Sequence, residues 1–593
     1  MSDFIMDLSP ATPFRNENSD DGGRDRRGLA ARLLAGRRGR SGRSLLALVF
    51  LCLLASVVPT ASAGARTIFT NANGYTLDTA GRLQRFSVLV VGDDGRVERT
   101  AAADADLPDG DRVDLGGRTL LPGLIDGHGH VFGLGQALVT LDLTPATTLD
   151  EALALVADYA AANPDLPWIV GRGWNQVTYG MDAFPTAAQL DAVIADRPVW
   201  LERVDGHAGW ANGAALRAAG VPAASADPDG GRIARLTAGA PAGVLVDAAQ
   251  AAVTNAIPAP DEAARTAMLD AALAKLAAVG LTGVADMGTL PAEWALMQRF
   301  AAEGRLTARI AAYAGGLDAL RTIAGDNFAP TGWIAGDRLS LAGVKLYGDG
   351  ALGSRGAAML EPYSDDPDNR GLVLLSGAEL RNQMVTAAQG GFQIAYHAIG
   401  DAANREGLDA IRDVTRYVPG GRHRIEHAQI IAPEDLPRFA AEGVIASMQP
   451  THATSDKAMA EARVGPERIK GGYAWRTLVG SGARFVGGSD FPVEPPEPLY
   501  GLHAAVTRED RDGEPAGGWY PEEALTRQAA LAAFTTGAAY AMGLDARVGT
   551  LTPGKWADFV VLDADPMAGA AADIWKIGVE ETWVGGERVF AKE

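Results

Sequence analysis

The chain has 593 residues, 47% of them hydrophobic and 21% charged, a balance that excludes a disordered polypeptide and exceeds what one ordinary core accommodates. Its formal net charge of −20 argues against nucleic acid and anionic membrane surfaces as partners. A single cysteine, Cys52, excludes a disulfide framework and a multi-thiolate metal site.

The first predicted element is a leader over 1–63. GRRGRSGRSLLALVFLCLLASVVPTASA joins a basic run (Arg37, Arg38, Arg40, Arg43) to an apolar run over 45–58 and the small-residue stretch Ala61, Ser62, Ala63. That is the pattern of a signal peptide cleaved after Ala63. The apolar run is shorter than the roughly 20 residues a membrane span needs; an uncleaved anchor is the alternative. Cys52 lies inside this run, after a Leu51 that fits a lipoprotein cleavage box poorly. The expected product is an exported bacterial protein, periplasmic or secreted, with no membrane contact after cleavage. It would hold 44 basic and 67 acidic residues and no cysteine, so any metal must be held by His, by carboxylates or by a group made from Lys.

From 64 to 120 the text is strand and turn: TIFTNANGYTLD, FSVLVVGDDGRV and GGRTLLPG, with Asp-Gly and Gly-Gly pairs that favour hairpins. The far end, 546–593, reads the same way in VGTLTPGKWADFVVLDADP and ETWVGGERVF. The two ends are expected to pair into one small β-sandwich; two unrelated edge hairpins are the alternative. Between them, 121–545 alternates apolar runs with amphipathic ones. The strand candidates are LLPGLIDGHGH, LTGVADM, ARIAAYA, LAGVKLY, FQIAYHAIGD, HRIEHAQ, VIASMQP and ARFVGGSD. Helical segments such as DEAARTAMLDAALAKLAAVG and PAEWALMQRFAAEG lie between them, with Gly280, Gly304 and Gly443 at positions that end helices. Eight near-continuous apolar strands separated by helices predict an α/β fold, a (β/α)8 barrel of the TIM type. An open doubly wound sheet is the alternative, but no G-x-G-x-x-G turn opens it. About 150 residues separate the first two strands, so a large insertion, about 131–280, is expected to shape or cover the barrel mouth.

Barrel enzymes carry their chemistry at the C-terminal ends of the strands. The first strand ends in GLIDGHGHVF, where period-two alternation aims His128 and His130 the same way. The fourth carries Lys345, the fifth ends in His397, the sixth in His427 and the eighth in Asp490. Singly, His397 reads as a core histidine, Asp490 as a turn former and Lys345 as a partner of Asp349. Gathered at successive strand ends, they read as one shared metal site.

This order of H-x-H, Lys, His, His, Asp resembles the amidohydrolase superfamily. The wording GRGWNQ, VDGHAGWANGAAL, GVKLYGDGALGSRGA, YHAIGDAAN, HRIEHAQ, MQPTHATSD and GSDFPVEP resembles its family 3, the group of N-substituted formamide deformylases. The resemblance covers essentially everything after the leader. It implies two divalent ions, zinc first, with manganese, iron or cobalt accepted by the same donors. They would be held by His128, His130, Lys345, His397, His427 and Asp490. Lys345 would be carbamylated by carbon dioxide into an anion bridging both ions. Asp490 would also be catalytic, accepting the proton of the attacking water and passing it to the leaving nitrogen.

Further candidates surround this core. His207 sits on the insertion and could bind a substrate carbonyl, as a catalytic or substrate-binding residue; a surface histidine is the plain alternative. Trp174 could wall the pocket or pack a core. Asp349, Ser354 and Arg355 follow the lysine strand, where Arg355 could meet a substrate carboxylate or form a salt bridge. His452, after strand seven, faces the same mouth. His423 and His503 are expected to be structural. The function expected is metal-dependent hydrolysis of a C–N amide or formamide bond outside peptides, in a small-molecule substrate. The alternatives are another acyl bond (an N-acyl amino acid, dipeptide-like amide, cyclic imide or ester) and a non-catalytic periplasmic binding protein. An oligomer is compatible with the sequence, which does not fix assembly state.

Overall fold

The computed structural model describes residues 66–593 apart from 205, 207, 229 and 230; the leader and Cys52 lie outside the described residues. Each of the eight apolar segments supplies one barrel strand, the first also ending a sandwich strand at Pro122: β1 (Leu124–Gly129), β2 (Leu281–Thr289), β3 (Arg309–Gly315), β4 (Leu339–Tyr347), β5 (Gln393–Ala398), β6 (Arg424–His427), β7 (Ile445–Met448) and β8 (Arg484–Gly487). They pair in parallel and in chain order. β1 and β2 are buried along their whole length, which is why they read as continuous apolar runs rather than alternating ones.

The sheet closes where the chain after β8 meets β1. Gly129 bridges Phe491 in parallel. The Asp490 N–H donates to the His128 carbonyl at 2.7 Å, and the His130 N–H to the Phe491 carbonyl at 2.9 Å. Only glycine fits this seam: a Cβ on Gly127 would stand 2.2 Å from Val486 Cγ1, and one on Gly488 2.7 Å from the His128 nitrogen. Closure excludes the open-sheet alternative; the fold is a (β/α)8 barrel.

The helices between strands obey local signals. Helix Glu262–Ala278 is capped by Asp261, whose carboxylate accepts the Ala264 N–H at 2.8 Å. It ends before Gly280, whose φ of 85° lies in the left-handed region that stops a helix. Ile125, Ala285, Met287, Ala311, Tyr313, Ala395, Ile445 and Val486, from strands all round the ring, share one apolar cluster that fills the barrel interior.

The residues between β1 and β2 build a six-stranded mixed sheet of their own, from Leu141–Asp142 at one edge to Gly231–Arg235 at the other. Its apolar cores gather around Trp174 and Trp210 on one side and Trp200 on the other. The chain ends make two further sheets. One joins Asn73–Leu77, Leu83–Phe86 and Thr119–Pro122 to Phe559–Leu562, Val579–Val584 and Glu587–Ala591; the other holds four strands between Thr67 and Asp114. Phe69, Phe86, Leu120 and Phe559 are buried together in the core between them, with Trp583 packed against it. Among the described residues, no helix is long and apolar enough to cross a membrane.

Arg309, opening β3, ties barrel to sandwich. Its guanidinium meets the Asp558 carboxylate at 2.6 and 2.8 Å, both side chains all but fully buried, and it also donates to the Gly336 and Asp337 carbonyls. Removing one member of such a pair strands a buried charge, which costs about 3–5 kcal/mol. Asp558→Ala should lose stability of that order in denaturant unfolding. The Arg309→Met/Asp558→Ala double variant should lose less than the two single changes combined; strict additivity would reject the pair as a coupled unit.

Candidate metal centre

The polar residues at the strand ends converge on one point. His128 lies in β1, His130 directly after it, Lys345 in β4, His397 in β5, His427 at the last position of β6, and Asp490 three residues beyond β8. All but the partly open His130 are buried. His427 and Asp490 take left-handed backbone, with φ of 70° and 62°. Each such residue costs about 1–3 kcal/mol unless its surroundings impose it. There the chain leaves strand geometry and the side chain swings into the mouth.

Asp490 Oδ1 lies 3.2 Å from His128 Nε2 and 3.0 Å from His130 Nε2. Lys345 Nζ is 3.4 Å from His128 Nε2. The His397 and His427 rings stand 4.5 Å apart, and those of His128 and His427 4.8 Å. His128, His427 and Asp490 alone offer donor atoms within 4.8 Å of one another.

Outer partners fix how each ring presents itself. His128 Nδ1 faces the Glu426 carboxylate at 2.5 Å, His130 Nδ1 the Met287 carbonyl at 2.6 Å, and His427 Nδ1 the Gln449 Oε1 at 2.9 Å. Each of these oxygens accepts, so each Nδ1 carries the proton and each Nε2 turns a lone pair inward. Asp126 accepts the His128 and Ser489 N–H groups and the Ser489 hydroxyl, clamping the Asp490 loop onto β1. Asp286 accepts the Val131 N–H at 2.7 Å and so fixes the turn after His130.

Electrostatics favour donors over acids. Burial, reinforced by the Lys345 charge, pulls the His128 and His397 imidazoles below their ordinary value; burial and the neighbouring imidazoles do the same to His427. Burial opposes the charged form of His130, but Asp490 outweighs it and raises that ring. Burial would raise Asp490, yet His128 and His130 hold it well below the carboxylate range. Burial pushes Asp126 up to about 7. Among the described residues, buried His397 Nε2 has no hydrogen-bond partner, with Asp349 Oδ1 3.5 Å away. Imidazoles held below their ordinary value at His128, His397 and His427, beside an ionised Asp490, fit a divalent cation.

The remaining candidates are placed as follows. Trp174 is fully buried in the inserted sheet's core, edge-on to Phe184 and Trp210, its indole N–H donating to the Leu201 carbonyl at 2.7 Å. It packs a core there, because both faces of its strand are covered. Arg355 spends its guanidinium on a two-pronged bridge to Asp365 at 3.0 and 3.1 Å, and the Ser354 hydroxyl donates to the Ala351 carbonyl. Asp349 accepts the Ala358, Ile399 and Gly400 N–H groups, tying the loop after β4 to the end of β5. His452 does reach the centre: it is buried, Nε2 lies 3.8 Å from Asp490 Oδ2, and its ring stacks on His427. His207 lies outside the described residues. Sequence reading passed over Glu426 and Arg424. Their R-x-E alternation inside a buried strand was the available signal.

The amidohydrolase family model matches residues 111–590. The chain belongs to the amidohydrolase family. It is 33% identical, over 91% of this chain and 94% of the relative, to the protein LONG AFTER FAR-RED 3 of Arabidopsis thaliana. It is 29% identical, over 87% and 96%, to the N-substituted formamide deformylase of Arthrobacter pascens. Among solved structures it resembles an uncharacterized metal-dependent hydrolase from Pyrococcus furiosus, with a TM-score of 0.72 and 27% identity, covering 85% of this chain and all of the other. As an amidohydrolase this chain is a metal-dependent hydrolase of small-molecule substrates.

His423 belongs to the scaffold of this amidohydrolase. It is buried, its Nδ1 accepts the Ile394 N–H at 3.1 Å, and burial pushes it down to about 4. Unfolding lets it charge near its ordinary 6.5, so its stabilisation is full above that pH and drains as pH falls towards 4. A shift of this size corresponds to about 3 kcal/mol. The pH-dependent stability difference between the parent and His423→Gln should therefore narrow as pH falls from about 6.5 to 4; parallel curves would refute the assignment.

Proposed function

We propose that this amidohydrolase cleaves the C–N bond of an N-substituted formamide or a related small amide at a lysine-bridged pair of divalent ions. The observation that carries the reading is the ring of inward-facing donors, with Asp490 Oδ1 between two imidazoles and its Oδ2 facing His452. Similarity to the Arthrobacter pascens deformylase supports the formamide class. Divalent ions bound there supply Lewis acidity, making water a nucleophile at neutral pH and polarising the substrate carbonyl.

His128, His130 and Asp490 Oδ1 define one position, and His397 and His427 a second. Lys345 stands beside the first, Nζ 3.4 Å from His128 Nε2. As an ammonium it would repel both cations. Carbon dioxide adding to the neutral amine would form a C–N bond and release a proton, and the resulting anion would help Lys345 hold the ions. Asp490 Oδ2 accepts a proton from the attacking water and returns it to the nitrogen as the C–N bond breaks. His452, facing that same oxygen, holds the substrate's carbonyl or leaving group in line. Substrate choice is then left to the loops and the inserted sheet around the mouth.

A panel of N-substituted formamides, other amides and esters should give turnover with amides ahead of esters, lost to chelator and restored by zinc. Asp490→Asn should lower kcat about a hundred- to ten-thousand-fold, the range for a general acid–base group. Ester-only turnover, or turnover indifferent to chelator, would overturn the proposal. In zinc-loaded protein, intact-mass analysis should find one carbon dioxide added at Lys345. Full metal loading without that increment would reject the carbamate.

A further inference from the structure

The two metal positions are built with unequal charge, and Glu426 makes the difference. Its carboxylate is fully buried, with Oε2 2.5 Å from His128 Nδ1. Arg424, equally buried two residues earlier on the same strand face, donates through Nε and Nη2 to that carboxylate. Arg424 also donates to the Gly127 carbonyl at 2.5 Å and to Ser447 Oγ at 2.6 Å, so the pair is anchored on β1, β6 and β7 at once. Among the described residues, no comparable anion backs the other rings: His130 leans on the Met287 carbonyl and His427 on the Gln449 amide. Asp349 approaches His397, but its two oxygens already accept three backbone N–H groups.

We infer that Glu426, held by Arg424, is a positioning residue that makes the His128–His130–Asp490 position the tighter of the two, loaded before the His397–His427 position. The argument is electrostatic. A carboxylate on the far nitrogen of an imidazole strengthens the lone pair on the near one and fixes the ring's direction. The first position therefore draws on two carboxylates, Asp490 directly and Glu426 through His128. Both positions share the anion that Lys345 becomes, and the second has only that anion beside its neutral imidazoles. Loading should accordingly be stepwise, with the second step the more sensitive to carbon dioxide. This rests on the two-ion reading above.

The test is zinc binding to metal-free full-length protein, read by competition with a chromophoric chelator, with and without added bicarbonate. The parent should show a tight step and a weaker one, with bicarbonate strengthening the weaker step more than the tight one. Glu426→Gln keeps the shape and an accepting oxygen but loses the charge. It should weaken the tight step about 10–100-fold, the usual effect of removing such an outer partner, and leave the weaker step within about threefold. Arg424→Met/Glu426→Gln removes the buried ion pair as a unit. It should weaken the same step, which keeps the test valid if the single variant folds poorly. Two steps in the parent, with the tight one unmoved in both variants or both steps weakened equally, would overturn this inference and leave the two-ion reading standing. A single ion in the parent, weakened by Glu426→Gln, would overturn the loading order and the two-ion reading while upholding Glu426 as the residue that positions His128.

Discussion

Lone pairs that face one another across 3 Å are the constraint on which the mouth of this barrel depends. His128 Nε2 and His130 Nε2 meet Asp490 Oδ1 within 3.2 Å. Positive charge, whether a proton on His130 or a bound cation, relieves such a gathering. Everything nearby serves either to hold the donors against their repulsion or to admit the cation that relieves it. The Asp126–Ser489 clamp, the Asp286 turn and the left-handed backbone at His427 and Asp490 belong to the first group. The inward-facing His397 Nε2 belongs to the second.

Barrel closure supplies the rigidity this requires. The ligand-bearing ends of β1 and β8 are not neighbours in sequence, yet their backbones exchange hydrogen bonds through the residues that carry the chemistry: the Asp490 N–H reaches the His128 carbonyl. Gly127 and Gly488 let those backbones approach where any side chain would collide. Side chains held across this seam are as fixed as the barrel itself. A site on loops would have to order itself on binding, losing affinity to conformational entropy.

The barrel was legible in the sequence because its strands are largely buried and separated by amphipathic helices; Asp261 and Gly280 mark one helix unambiguously. The residues that converge were legible because His, Lys and Asp at the ends of apolar runs have few bland explanations in combination. What surrounds them was not. Trp174 and Arg355 have residue types that serve a pocket and a scaffold equally well, and only the tertiary partners, Trp210 and Asp365, decide between them. Glu426 was hidden by position: beside His427 it reads as a strand residue on the opposite face, and its partner His128 lies 298 residues away. The sheet within the insertion was equally hidden, since nothing local specifies which of its short strands pair.

Arg424 and Glu426 also raise a question of energetics that bears on function. Desolvating two charges costs several kcal/mol per ion, and an apolar pair of similar volume is often as stable or more so. Small residues at Ala285, Ala311 and Ala395 share the barrel-interior cluster with Tyr313, whose ring lies 5.5 Å from the Arg424 guanidinium carbon. Stability alone would fill such an interior with larger aliphatic side chains. A buried arginine is useful here because it keeps a carboxylate ionised where water cannot, one imidazole away from the metal position. The ion pair is therefore better understood through the ring it orients, His128, than as a contribution to the core. It lets His128 be both neutral and strongly donating, two properties that burial alone would set against each other.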